Sequence, residues 1–307
     1  RDHEEALKDV VLYEGVTLYS LIIGITLVAL AAAITLGGLK RVASFAEKVV
    51  PFMVVLFMLG SLVIVGVNYD RILPAFGSIF TTAFTPIAAA GGGAGATIKQ
   101  VMVQGFKRGG FSNEAGLGSS GMVHSNSNVK EPVKQGMWGI FEVFADTMIV
   151  CTLTALVVLT SGLYNLDTGV LAEGVTDATL VATAFDSVFS YGGIGSKFVA
   201  IAILLFAFTT VLGWNHYGTK AWEYLFGVKS TKVYKVIHLV MILFGALLTS
   251  SLAWDISDTF NGMMMFPNLI AVLALAPLVG KLTKNYLDRK VRNKDVKPML
   301  SYDEEIQ

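Results

Sequence analysis

Long uncharged stretches separated by short polar segments dominate this sequence. A helix needs roughly 20 mostly apolar residues to cross a bilayer, and stretches of about that length recur along the chain. The pattern predicts an all-α membrane protein with seven spans, at about residues 15–39, 49–69, 72–106, 136–161, 195–215, 236–254 and 259–280.

The third predicted span is interrupted by Pro86 and by a run of glycines at 91–95. Broken backbone at membrane depth is tolerated where protein buries it or where it lines a wet cavity. Gly91, Gly92 and Gly93 are therefore candidate substrate-binding residues, because their amides can meet a carboxylate at the start of the next half-helix. Tight helix packing through small residues is the alternative, and the nearby proline favours the binding interpretation.

Basic and acidic segments alternate along the chain, and short cytoplasmic loops carry the excess of Lys and Arg. The basic segments are 38–50, 107–134, 216–235 and the tail, whereas the acidic segments are 1–16, 162–192 and 253–258. The basic and acidic segments alternate strictly between the two sides only if segment 72–106 crosses the membrane once. We therefore predict that this broken segment spans and that the tail at 282–307 is cytoplasmic, in a protein of the plasma (inner) membrane.

Composition excludes several classes of protein. Only 15% of the residues are charged, against about 25% in a typical soluble domain. The net charge is zero, so no bulk field draws nucleic acid, and one cysteine, Cys151, rules out a disulfide framework. We find no nucleophile–base pair, phosphate loop or metal-ligand spacing, so neither an enzyme nor a cofactor is expected.

Two adjacent hydroxyls lie on the fifth predicted span, at Thr209 and Thr210, with Trp214 one turn beyond. Hydroxyl oxygens can ligate a hard cation such as Na⁺, and Trp214 on the same face can close an apolar side-chain pocket. Alternatively, each threonine bonds back to a carbonyl one turn earlier and Trp214 is an interface anchor. These residues alone do not favour either interpretation.

The fourth predicted span carries two acids, Glu142 and Asp146, four residues apart. Acids inside a span are functional candidates by default. Asp146 lies deeper, and we favour a structural role in which such an acid pairs with Lys or Arg of a neighbouring loop.

A cationic pair, Lys107 and Arg108, precedes a run of small and polar residues. This run includes Phe111, Ser112, Asn113 and Glu114. The serine and the acid can cap a helix that starts near Asn113. They can equally form an inner gate that holds a cation by ion pairing, and both possibilities stay open.

Three stretches resemble one known family. They are GFKRGGFSNEAGLGSS, VKQGMWGIFEVFADTMIVCTLTALVVLTSG and LLFAFTTVLGWNHYG. They are similar to the alanine or glycine:cation symporter family of the amino acid–polyamine–organocation superfamily, over about residues 20–285. The resemblance implies two inverted five-helix repeats, of which this chain would hold the fourth to tenth helices. The first three would be missing, so we expect an N-terminally truncated chain that does not transport alone.

The resemblance also implies roles for single residues. Thr210 and Trp214 look like substrate contacts of the eighth helix, and Thr209 and Thr210 look like ligands of a sodium site. The expected function is sodium-coupled symport of a small neutral amino acid, alanine or glycine, by alternating access in the lipid bilayer.

Two alternatives remain. One is proton coupling through Asp146 or Glu142, and the other is a membrane scaffold or channel subunit that does not transport.

Overall fold

A computed structural model describes residues 10–13, 16–37, 39–83, 98–112, 114–166, 170–176 and 179–302. Helices make up most of this described part. Near its start, strands β1 (Val11–Tyr13) and β2 (Val16–Thr17) form a short antiparallel pair. Thr17 then caps the first helix by accepting a hydrogen bond from the Ser20 amide.

The helices follow in chain order. They are α1 (Leu18–Thr35), α2 (Leu39–Val67), α3 (Ile72–Ala83), α4 (Ile98–Ser112), α5 (Ser120–His124), α6 (Pro132–Val143), α7 (Thr152–Thr160), α8 (Leu180–Val188), α9 (Ile194–Phe226), α10 (Thr231–Leu247) and α11 (Ser250–Lys290). A π-helical stretch, Phe144–Cys151, joins α6 to α7.

Six described helical segments are long and apolar enough to cross a membrane. They are Leu18–Thr35, Arg41–Val67, Pro132–Thr160, Tyr191–Phe226, Val228–Leu247 and Ser250–Lys290. These confirm the all-helical membrane class. The predicted broken span is not among them, because it comprises the shorter helices α3 and α4 and residues 84–97, which lie outside the described part. Its single crossing stays a prediction.

Several predicted loops are helical over part of their length. The basic segment 38–50 lies in α2 from Leu39 on, and α9 runs through the basic segment 216–235 as far as Phe226. The basic segment 107–134 is not a loop throughout, because α4 continues to Ser112. The acidic segment 253–258 is not a turn, because it lies inside α11, and the chain bends earlier, at Leu248 and Thr249. A hydropathy pattern treats any charge as a boundary, so charges inside apolar helices resemble loop charges.

The chain forms two compact units. The first comprises Arg1–Tyr69 and Ala172–Ser257. In it, α1 approaches α10 so closely that a Cβ on Gly24 would lie 2.9 Å from Leu243 Cδ1. Its core holds Phe57 and Phe185, whose rings stack with centroids 5.9 Å apart.

The second unit comprises Asp70–Leu171 and Asp258–Gln307. The Arg71 guanidinium donates to the Thr160 carbonyl at the end of α7, 3.3 Å away. Elsewhere in this unit the residues after α11 contact the segment before α6, where the Ser301 amide donates to the Lys130 carbonyl at 2.9 Å.

Candidate functional site

A tight turn follows α4 in the second unit. Glu114 has a left-handed φ of 58° and Gly118 a φ of 81°, and the amides of Leu117 and Gly118 both donate to the Glu114 carbonyl at 3.0 Å. The buried Ser119 hydroxyl donates to the Glu114 carboxylate at 2.9 Å. The segment Glu114–Gly118, called here the EAGLG turn, is therefore closed by its own polar groups. No helix begins at Glu114, so the structure contradicts one of the two possibilities left open above, a cap of a helix near Asn113.

Small residues let the EAGLG turn lie against α4. A Cβ on Gly116 would come within 2.7 Å of the Gly110 carbonyl oxygen, and one on Gly110 would meet Met265 Cε at 2.6 Å. A larger residue at position 116 would force backbone apart, because the atom opposite Gly116 is main chain.

One side chain of α11 holds the EAGLG turn from the other side. The Asn268 amide donates to the Ala115 carbonyl at 2.8 Å and to the Gly116 carbonyl at 2.9 Å. These two acceptors lie in a non-helical turn, so the amide supplies hydrogen bonds that helix geometry would otherwise supply. Sequence reasoning missed Asn268, although an amide inside the apolar run of α11 is a recognisable signal.

The cationic pair of α4 meets an acid of α11. Lys107 Nζ lies 3.2 Å and Arg108 Nη1 lies 3.5 Å from the Asp258 carboxylate, whose side chain is only 14% exposed. The predicted acid partner was in the EAGLG turn, and the alternation of charges predicts Lys107 and Asp258 on opposite sides of the membrane. That prediction is wrong for this pair, since the two groups are in contact.

Thr209, Thr210 and Trp214 lie on α9 in the first unit. The Thr209 hydroxyl donates to the carbonyls of Leu205 and Phe206, both at 3.0 Å. For Thr209 this agrees with the alternative in which the threonine bonds back to a carbonyl one turn earlier. The hydroxyl oxygen still has a lone pair that could bind a cation. Thr210 is exposed, and Trp214 is half-buried with its ring 5.6 Å from that of Tyr217. Their predicted roles stay predictions.

The two acids of the fourth predicted span have different surroundings. Glu142 is 62% exposed and lies 3.2 Å from His124, not from a Lys or Arg. Asp146 is half-buried within the π-helical stretch, a local widening that often occurs at functional sites. In the same stretch the buried Thr147 Oγ1 finds no hydrogen-bond partner among the described residues.

Several predicted site residues cannot be placed. Gly91, Gly92 and Gly93, together with Asn113, lie outside the described residues. Phe111 and Ser112 form the last turn of α4. Within the described part of the chain, His, Cys, Asp and Glu side chains form no cluster that could hold a metal ion.

The chain is similar to known proteins of one family. The sequence profile of the sodium:alanine symporter family matches residues 5–300. A sodium/alanine symporter of Methanococcus maripaludis is 39% identical over 280 residues, which is 90% of this chain and 58% of that protein.

Two Bacillus relatives carry other names. A probable sodium/glutamine symporter of Bacillus subtilis is 36% identical over 90% of this chain and 55% of its own length. A sodium/proton-dependent alanine carrier of a Bacillus strain is 32% identical over 90% of this chain and 63% of its own length. The chain thus spans somewhat over half the length of the curated relatives that it matches.

Proposed function

Because this chain belongs to the sodium:alanine symporter family, we propose that it forms part of a sodium-coupled symporter for a small neutral amino acid, alanine or glycine. The observation that carries this proposal is the family match across residues 5–300, which takes in the EAGLG turn and α9. Transport by alternating access would move one group of helices against another around a central site.

Each group of candidate residues has its own proposed role. Amides of Gly91, Gly92 and Gly93 would meet the substrate carboxylate, because a helix interrupted by glycines exposes donors. Thr209 and Thr210 would offer hydroxyl oxygens to Na⁺, and Trp214 would limit the volume open to the substrate side chain.

The EAGLG turn would serve as a gate element. Its carbonyls are held by Asn268, and the cations of α4 are held by Asp258, so both attachments lie on α11. A change in the position of α4 relative to α11 would therefore have to break charge-assisted contacts. Contacts that are either formed or broken favour an element with two alternative positions over one that moves continuously. Phe111 and Ser112, in the last turn of α4, and Asn113 would belong to the same gate element.

The proposed location is the plasma membrane, with the C-terminal tail in the cytoplasm. The tail contacts the start of α6, where Lys130 precedes the helix and Lys134 lies in its first turn, and both regions are rich in basic residues. Two basic regions in contact fit the side of the membrane that carries the excess of Lys and Arg.

Proton coupling is the second candidate. It is favoured by the name of the Bacillus carrier, which mentions both ions, and by the half-buried Asp146 in its π-helical stretch. If Asp146 carries the proton, Asp146→Asn should abolish uptake driven by a pH gradient and leave sodium-driven uptake intact.

A substrate panel tests the proposal directly. Proteoliposomes would carry a chimera in which the N-terminal part of the Methanococcus relative completes this chain. Labelled alanine uptake should be driven by sodium and inhibited by glycine more strongly than by glutamine. Trp214→Ala should reduce the ratio of the glutamine to the glycine inhibition constant at least tenfold. Trp138→Ala, on the exposed face of α6, should leave this ratio unchanged. Equal inhibition by glutamine in the unmodified chimera would contradict the small-substrate proposal.

A further inference from the structure

A small polar cavity in the first unit is lined by none of the proposed transport residues. Its volume is about 190 Å³, and its walls come from the end of α1, the start of α2, the last third of α9 and the first turns of α10. Its lining includes Thr35, Asn215, His216, Lys220, Glu223 and Lys235. Because α1 ends and α10 begins here, the cavity lies where apolar helices reach the ends of their spans.

Two nitrogen atoms at this cavity lack hydrogen-bond partners within the described residues. Asn215 is only 4% exposed, and its Nδ2 is buried and unpaired. The neighbouring His216 Nε2 is likewise buried and unpaired. Buried polar groups are almost always hydrogen-bonded, and leaving a donor unpaired is costly. Two such atoms on residues that line one cavity therefore indicate that a group from outside the described residues pairs with them.

The charges around the cavity favour an anion. Lys235 Nζ reaches the Thr35 carbonyl at 3.3 Å, so its ammonium is held at the cavity wall by a neutral acceptor. Lys220 Nζ pairs with the Glu223 carboxylate at 3.1 Å, which compensates the one acid in the lining. Two ammonium groups against one carboxylate leave a net positive charge, and the unpaired amide is a donor as well.

We propose that this cavity binds a phosphate group, either that of a phospholipid headgroup or free inorganic phosphate. Pockets for drug-sized ligands are about 300–1,000 Å³, so this smaller cavity fits a compact anion. A tetrahedral phosphate can accept from several donors at once, and a lysine ammonium is a common phosphate partner. Basic pockets between membrane helices near one surface are typical headgroup sites.

The first test measures binding of labelled inorganic phosphate to the purified chain in phosphatidylcholine nanodiscs. We expect saturable binding that Lys235→Gln weakens at least tenfold. The matched control is Lys232→Gln, which removes the same charge from an exposed position three residues away. Asn215→Ala should also weaken binding. Because that change at a buried position can impair folding, the two lysine variants decide the outcome.

The second test distinguishes the two sources of phosphate. If the natural ligand is a lipid headgroup, adding phosphatidylglycerol to the nanodiscs should displace labelled phosphate and raise the unfolding temperature, and Lys235→Gln should remove both effects. If it is free phosphate, the lipid should change neither. The proposal is wrong if phosphate does not bind saturably and the lipid has no effect, or if Lys232→Gln weakens binding as much as Lys235→Gln. None of these readouts depends on transport.

Discussion

At the scale of single residues, the contact between α4 and α11 rests on one carboxylate shared by two cations. Asp258 is mostly buried, while Lys107 is 40% exposed, so water screens the pair only in part. The Asp258 side chain would be costly to leave without its cations, because an uncompensated buried charge destabilises a fold.

We predict a measurable coupling between Lys107 and Asp258. In a double-mutant cycle of Lys107→Gln and Asp258→Asn, followed by chemical unfolding in mild detergent, the coupling free energy should be about 1 kcal/mol. Asp295→Asn, an exposed acid after α11, is the control and should not couple with Lys107→Gln. Additive effects of Lys107→Gln and Asp258→Asn would show that the ion pair does not stabilise this contact.

A second prediction concerns the EAGLG turn. Gly118 has a φ of 81°, and an added Cβ would lie 2.6 Å from Asn268 Oδ1. Gly118→Ala should therefore lower the free energy of unfolding by roughly 1–3 kcal/mol, because it combines backbone strain with a clash.

The control for this change is Gly121→Ala, since a Cβ there meets nothing within 4 Å. A stable Gly118→Ala protein with unchanged unfolding would mean that the turn has another conformation.

At the scale of elements, the helices could be predicted from the sequence wherever apolar runs were uninterrupted. The first, second and fourth spans match α1, α2 and the α6–α7 segment, because length and hydropathy alone decide those cases. The last two spans were misplaced at their shared boundary. Asp255 and Asp258 looked like a turn, yet Asp258 is compensated by Lys107, a residue 151 positions away. Such a distant partner has no local signal in the sequence.

The site could be predicted only in part for a related reason. The small residues around the EAGLG turn and the position of Thr209 to Trp214 on one helix follow from the sequence. The partners Asn268 and Asp258 do not, because which polar residue of α11 reaches α4 depends on the packing of the two helices. The same holds for the cavity at Asn215, which forms from four helices.

We also predict that the close approach of α1 and α10 depends on Gly24. Gly24→Leu should destabilise the protein by about 1–3 kcal/mol, because Leu243 and Ala246 occupy the space that the new side chain needs. Gly245→Leu is the matched control, since its Cβ would meet nothing within 4 Å. Thermal unfolding of the two variants should differ, and equal unfolding temperatures would contradict the packing described here.

At the scale of the whole molecule, the last turn of α11, from which the tail continues, is tied to the start of α6 by an ion pair. Arg289 donates to Glu131, and this guanidinium holds the pKa of the Glu131 carboxyl below its ordinary value of 4.5. Lys134, 3.4 Å from the same carboxylate, acts in the same direction. A carboxyl whose pKa is lowered on folding stabilises the folded state above its unfolded pKa, and this stabilisation is lost as the pH falls through the lower folded value.

The docking of the tail should therefore weaken in acid. Proteolysis of the residues after α11 should accelerate as the pH falls below about 4.5, the ordinary pKa of this side chain. Glu131→Gln should raise the rate at neutral pH and reduce its pH dependence, while Glu173→Gln serves as an exposed control. The assay needs a protease that is active across the whole pH range tested. A tail whose cleavage does not change with pH would contradict this role for Glu131.

The measurement that tests the central claim most directly is alanine uptake by the completed chimera in proteoliposomes, with and without an inward sodium gradient. Thr210→Ala would be compared with Thr26→Ala, a threonine of α1 whose hydroxyl bonds back to the Ile22 carbonyl at 2.8 Å. We predict sodium-dependent uptake that Thr210→Ala reduces at least tenfold and Thr26→Ala leaves unchanged. Uptake that ignores sodium, or that survives Thr210→Ala, would contradict a sodium-coupled site on α9.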